Sequence, residues 1–145
     1  MRCHAFAAHT DYIEAPVIDR ELQDGEVFSF GGRNIRCVLT PRHTLGVMTF
    51  FFHVTDNGKI YLAGLFGGAG TSHMTLAATR FDHLPSDMPL RMLDSLIRIE
   101  NEPVTIHLGN HPGDNTPLQK REQQLLDGGN PFIDPASCPR CGKKR

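Results

Sequence analysis

A chain of 145 residues has the size of one domain and is long enough to bury a core without disulfide or metal staples. Its 15 Lys and Arg stand against 16 Asp and Glu, a formal net charge of -1, which supplies no electrostatic footprint for nucleic acid or an anionic membrane surface. No apolar run approaches the roughly 20 residues of a membrane span, and Met1-Arg2-Cys3-His4 lacks the apolar core of a signal peptide, so a cytoplasmic protein with reduced thiols is expected.

In chain order, the first two dozen residues carry few apolar anchors, chiefly Tyr12, Ile13, Val17 and Ile18, and Pro16 argues against a helix through them. They read as an extended lead-in. From Asp24-Gly25 a turn precedes a short strand, Glu26 to Phe30, and Gly31-Gly32 makes a hairpin turn into its partner, Asn34 to Leu39. Pro41, His43 and Gly46 punctuate the next connection. Gly46 to Val54 and Lys59 to Ala63 then form a second hairpin around Asp56-Asn57-Gly58, a turn that tolerates positive φ. Four consecutive strands therefore form one sheet.

After the sheet the period changes. Gly64 to Gly70 is too rich in glycine for an element interior and marks a loop in which backbone approaches something closely. Thr71 or Ser72 can cap a short helix through Phe81, and a second helix fits Met88 to Glu100, with Leu90, Leu93, Leu96 and Ile97 as the apolar stripe expected to pack on the sheet. Pro103 ends that helix, and Val104 to Leu108 reads as another buried strand. Gly109 to Asn115 forms a loop, Thr116 can cap a third helix that begins at Pro117 and runs to about Asp127, and Gly128-Gly129-Asn130-Pro131 terminates it.

Two of the eight His, His43 and His111, follow directly on strands in Gly/Pro-punctuated loops. Such loops suit a metal ligand, because imidazole needs one ring nitrogen free and the other oriented by a neighbouring acceptor. His53 and His107 lie inside strands, where ring packing is the ordinary role, and His4, His9, His73 and His83 have no defining motif. Cys138-Pro139-Arg140-Cys141 in the basic C-terminal run places two thiolates on one tight turn. It is read either as a tail with two free thiols or as part of a zinc site shared between chains.

Thr40-Pro41-Arg42-His43-Thr44-Leu45-Gly46 resembles the TPGHTPG motif of the metallo-β-lactamase superfamily, and Asp24-Gly25-Glu26-Val27 resembles the strand lead-in before it. Further matches follow in order. Leu62 to Gly68 is similar to the family's glycine-aspartate segment, Leu108 to Asn115 to the loop bearing the last ligand His, and Asn130 to Pro135 to a C-terminal segment of some of these hydrolases. The resemblance spans about residues 17 to 135 and divides the chain into a partial metallo-β-lactamase-like domain, 1–135, and a CxxC-containing basic tail, 136–145.

The resemblance implies an α/β (α+β) fold, the second half of an αββα sandwich, with an antiparallel or mixed sheet and helices on one face. It also implies zinc, which lowers the pKa of bound water from about 15.7 to about 7 and so supplies hydroxide at neutral pH. His43 would bind the first metal and His111 the second, with Cys138 and Cys141 as an alternative metal site. The chain departs from the family in two places: the HxHxDH cluster of the first half is absent, and Leu65 follows Gly64 where the bridging Asp belongs. A truncated zinc-hydrolase domain, weak or inactive alone, is therefore expected, with a small-molecule substrate if active. The alternative is a non-catalytic interaction module. In either case Val47, Thr49 and Phe51 are expected on an uncovered sheet face, with Met48, Phe50 and Phe52 under the helices, and a homodimer or a complementing N-terminal half would supply the cover.

Overall fold

The computed structural model describes residues 17–68, 75–81, 83–111 and 113–136. Five strands form one sheet in the order β1-β2-β3-β4-β5: Val27–Phe30, Arg33–Leu39, Met48–Asp56, Lys59–Leu65 and Ile106–Leu108. The first four pair antiparallel as sequential hairpins, and β5 returns parallel to β4. Helices α1 (Leu76–Phe81) and α2 (Met88–Ile99) occupy that crossover, as a parallel return requires, and α3 (Pro117–Asp127) follows β5.

Local chemistry explains the hairpins. Gly31 and Gly32 take φ of 57° and 75°, and Asn57 and Gly58 take 48° and 76°, the left-handed pair that two-residue turns need to match the strand twist. Those turns fix the register. Phe30 meets Arg33, Asp56 meets Lys59, and Val38 faces Thr49 across β2 and β3. The bounds differ from those expected at several ends: β3 and β5 begin two residues later, and β4 runs through Gly64 and Leu65, expected as loop, because Phe51 and Phe50 pair with them.

A core cluster lies on one side of the sheet, and the buried Cys37, Ala63 and Ile106 lie on the other, in register with Phe50 and Phe52. Val38 and Phe51 pack with Ile99 of α2 and with Val104, and Leu62 and Phe66 close the cluster. The Phe51 and Phe66 rings meet edge to face at 6.2 Å. Over the other face of the Phe51 ring, 4.7 Å from its centre, lies the Arg36 guanidinium, which Glu102 pairs at 2.6 Å. Burying each of these large side chains contributes roughly 1.5–3 kcal/mol.

Two expectations about faces are corrected here. Phe51 and Thr49 belong to the side covered by α2, and it is Met48, Phe50, Phe52 and Val54 that stay half-buried on the opposite side, beside Leu39, Tyr61 and Leu65. Strand alternation divides residues into two sets without saying which set faces the helices, and on β3 both sets are apolar. On α2, likewise, the buried residues are Met88, Met92, Ser95 and Ile99. Leu90, Leu93 and Ile97 are 64%, 48% and 53% exposed, and Leu96 is half-buried. At 3.6 residues per turn the two stripes lie on nearly opposite sides of the helix. Helix α2 is apolar on both, and a tether in its last turn holds the observed rotation. Arg98 donates to the Leu39 carbonyl at 3.3 Å and pairs with Asp24 at 2.8 Å, while the Ser95 hydroxyl bonds within the helix to the Arg91 carbonyl at 2.7 Å.

Asp24 joins three elements at this point, since its other oxygen accepts the Leu39 N–H at 2.8 Å. Partial burial raises the carboxyl pKa, but the Arg98 hydrogen bond and charge, with the Leu39 and Gly25 N–H groups, outweigh it and hold the group below the ordinary carboxylate value. A depressed folded-state pKa means that this stabilisation is complete above the unfolded value, about 3.9, and is lost as pH falls through the lower folded one. Asp24→Asn should therefore cost up to about 1 kcal/mol at neutral pH, given the exposure of the pair, with the gap to wild type closing below about pH 4. Urea unfolding at the two pH values checks it. The corrected faces predict that Phe51→Ala costs about 3–5 kcal/mol, whereas Leu93→Ala stays within about 0.5 kcal/mol; equal losses in chemical denaturation would restore the original helix orientation.

Candidate functional site

The sheet register brings three loops to one edge. Leu39 at the end of β2 pairs with Met48 at the start of β3, Phe50 pairs with Leu65 at the end of β4, and Leu65 lies beside Leu108 at the end of β5. The connections that leave this edge carry His43, Gly67-Gly68, and Asn110-His111. Both sequence-predicted histidines therefore stand at the same edge of the sheet.

The first loop is closed at its base. Thr40 N–H donates to the Val47 carbonyl at 2.8 Å, the buried Thr40 and Thr49 hydroxyls share a 2.8 Å hydrogen bond, and Arg42 N–H donates to the Thr44 carbonyl at 3.1 Å. Arg42 is buried and His43 is half-buried. The His43 ring lies over Gly68, where an added Cβ would come within 3.1 Å of its Cε1 and Nδ1. A Cβ on Gly67 would fall 2.3 Å from the Met48 carbonyl oxygen and 2.5 Å from Val47. The close backbone approach read from the glycine run is thus an approach to the His43 loop itself.

The third loop is tied to the second. Asn110 Nδ2 donates to the Phe66 carbonyl at 2.6 Å, just before Gly67. Within the loop, His111 N–H reaches Asp114 Oδ2 at 3.2 Å, Asp114 N–H returns to the His111 carbonyl at 2.9 Å, and a Cβ on Gly109 would collide with Asp114 at 2.2 Å. His111 itself is exposed. Contacts run from His43 through Gly68 and Phe66 to Asn110 and His111. Asn110 was not singled out from the sequence, where its only signal is its place beside His111.

The other candidates fall elsewhere. His107 is buried, edge to face with Phe66 at 5.0 Å, and His53 is exposed on β3, consistent with packing and surface roles. Cys37 is buried, its Sγ 3.2 Å from the Gln23 and Glu26 carbonyls, and burial first, then the Glu26 charge, pushes the thiol pKa up. It is an inert structural thiol. Cys138 and Cys141, with His4, His9 and His73, lie outside the described residues.

Among the described residues, no three or more His, Cys, Asp or Glu come together in a group able to hold a metal ion. Two imidazoles from two loops fall short of the three protein ligands that catalytic zinc takes. The described residues do not make a complete zinc site.

Sequential hairpins, a parallel return after two helices, and histidine loops at one sheet edge define a partial metallo-β-lactamase fold. The chain is similar to native FEZ-1 metallo-β-lactamase from Legionella gormanii, at 30% identity and TM-score 0.73, over 88% of this chain and 48% of that one. It is also similar to BJP-1, a subclass B3 metallo-β-lactamase of Bradyrhizobium japonicum, at 21% identity and TM-score 0.70, over 86% and 46% of the two chains. MEM-A1, a subclass B3 metallo-β-lactamase isolated from a soil metagenome library, matches at 22% identity and TM-score 0.63, over 82% and 45%. The chain spans about half the length of these solved structures. No family model and no curated protein matches the sequence. Among the described residues no helix is long and apolar enough to cross a membrane.

The contacts at the glycine loop give a direct expectation. Gly67→Ala forces a Cβ onto backbone and should cost about 1–3 kcal/mol as an overpacked contact, whereas Gly113→Ala, with open space around it, should leave the melting temperature nearly unchanged. Thermal unfolding of the two variants checks this; equal melting temperatures would show that the loop backbone yields.

Proposed function

We propose that this chain is the second half of a zinc-dependent metallo-β-lactamase-type hydrolase acting on a small molecule, and that it is weak or inactive until a first half completes the metal site. The observation that carries this reading is the pair of histidine loops at one sheet edge, coupled through Gly68 and Asn110. His43 would serve one metal position and His111 the other, and the ligands of the absent HxHxDH cluster would come from the complementing half.

The same half would cover the sheet. Met48, Phe50, Phe52 and Val54 are half-buried on the face turned away from the core, and several such side chains left in water are costly for a domain of marginal stability. The chain spans about half of its structural relatives, which favours a complementing half as the cover. A second copy of the chain is the alternative, and that arrangement would suit a non-catalytic interaction module.

Zinc titration of the metal-free protein tests the site: weak binding that weakens further in His43→Ala is expected. Tight binding indifferent to that substitution would move the site elsewhere, most directly to Cys138 and Cys141. Light scattering tests the cover. A stable monomer at micromolar concentration that binds no hydrophobic dye would remove the need for any partner on this face.

A further inference from the structure

The loop that presents His111 ends in a strained turn. Asn115 and Thr116 both take left-handed backbone angles, φ of 58° and 47°, immediately before α3. Asn tolerates this region, but for a β-branched residue such as Thr116 it is an outlier that surrounding contacts must hold. Thr116 occupies the cap position expected from the sequence but makes no side-chain cap hydrogen bond. At the helix end the Thr116 carbonyl accepts the Lys120 N–H at 3.0 Å, and a second hold comes from the residue before it.

That second hold is the Asn115 side chain. Its Nδ2 donates to the His107 carbonyl at 2.7 Å, on β5, and its Oδ1 accepts from Lys120 Nζ at 2.7 Å, on α3. Lys120 is only 9% exposed, a rare state for an ammonium group, which must be paired when taken out of water. Asp134 provides that pairing at 3.5 Å, and Asp134 is itself anchored to the sheet, its N–H donating to the Thr105 carbonyl at 2.8 Å. The segment Asn130 to Asp134, which otherwise has no role at the site, thus returns to the base of the His111 loop.

We propose that Lys120 is a positioning residue for His111, acting by holding the Asn115 amide at its carbonyl end. An ammonium group has three donors and no acceptor, so only the carbonyl end of the amide can face it. The His107 carbonyl can only accept, so it demands Nδ2 and hence the same orientation. Lys120 therefore reinforces the tie between the strained turn and β5 from the opposite end of the amide, and Asp134 offsets the burial of its charge. The value of this for a metal-binding edge rests on the function proposed above, but the clamp itself does not.

The test is hydrogen exchange and side-chain amide NMR on the full chain, comparing wild type with Lys120→Met and Asn115→Asp. In wild type one Asn115 side-chain proton should be protected by the His107 carbonyl. In Lys120→Met that protection should fall, and the Asp114 N–H, bonded to the His111 carbonyl, should exchange about tenfold or more faster, as loss of a charge-assisted hydrogen bond implies. The His111 ring signals should shift, while the β3 and β4 amides around Phe51 keep their rates. Asn115→Asp keeps an acceptor for Lys120 but removes the donor to His107, so it should loosen the same loop. Unchanged loop exchange in Lys120→Met overturns the proposal whatever Asn115→Asp does. So does an equal rise in the loop and in β3 and β4, which would make Lys120 a general stability residue. If Lys120→Met does not fold, Asn115→Asp decides alone by the same comparison. Neither readout involves metal, so a negative zinc titration leaves this result standing, and failure here leaves the titration standing.

Discussion

The pairing of β3 on both edges is the constraint from which the rest of the structure follows. Its residues 48–52 pair with β2 on one side and 50–56 with β4 on the other, and that register decides where the loops at this edge emerge. The same register sets Phe51 opposite Arg36 and Gly64. Gly64 leaves room there for Val104, to which an added Cβ would come within 3.0 Å, so the core cluster and the His43 edge are positioned by one ladder. A slip of one residue in β3 would exchange its faces and move every loop at the edge.

The hairpins were legible in the sequence because they rest on local chemistry. Gly31-Gly32 and Asn57-Gly58 adopt backbone angles that few other residues accept, and any reading of turns finds them. The edge was legible for a similar reason: His43 and His111 each follow a strand directly, and strand ends in a small sheet collect at few places. The faces were not legible. On β3, Thr49 and Phe51 compete with Met48, Phe50 and Phe52, and on α2 the leucine stripe outweighs Met88, Met92, Ser95 and Ile99 in hydropathy. Pattern reading chooses the more apolar set, whereas the structure buries the set compatible with the Arg98 contacts to Leu39 and Asp24.

That reversal bears on how a half-fold persists. Leu90, Leu93 and Ile97 on α2, with Leu118, Leu125 and Leu126 on α3, are exposed while the core holds few large side chains. A domain with this distribution depends heavily on the Phe51 cluster and on polar tethers between elements. Asp24 with Arg98, Arg36 with Glu102, and Asn115 with Lys120 each cross from one element to another. Individually such pairs are worth little when exposed and more when buried and satisfied, so the buried one at Lys120 matters most to local order.

The loops of the histidine edge are also joined to one another. Glycine contacts press the second loop against the first, Asn110 joins it to the third, and the third is clamped to β5 and α3 at its far end. Two imidazoles are thus carried on a framework already assembled before any further ligand arrives. Pre-organised ligands lose less freedom on binding. Under the function proposed above, this edge would supply support and two ligands, and a complementing part would supply the remaining ligands.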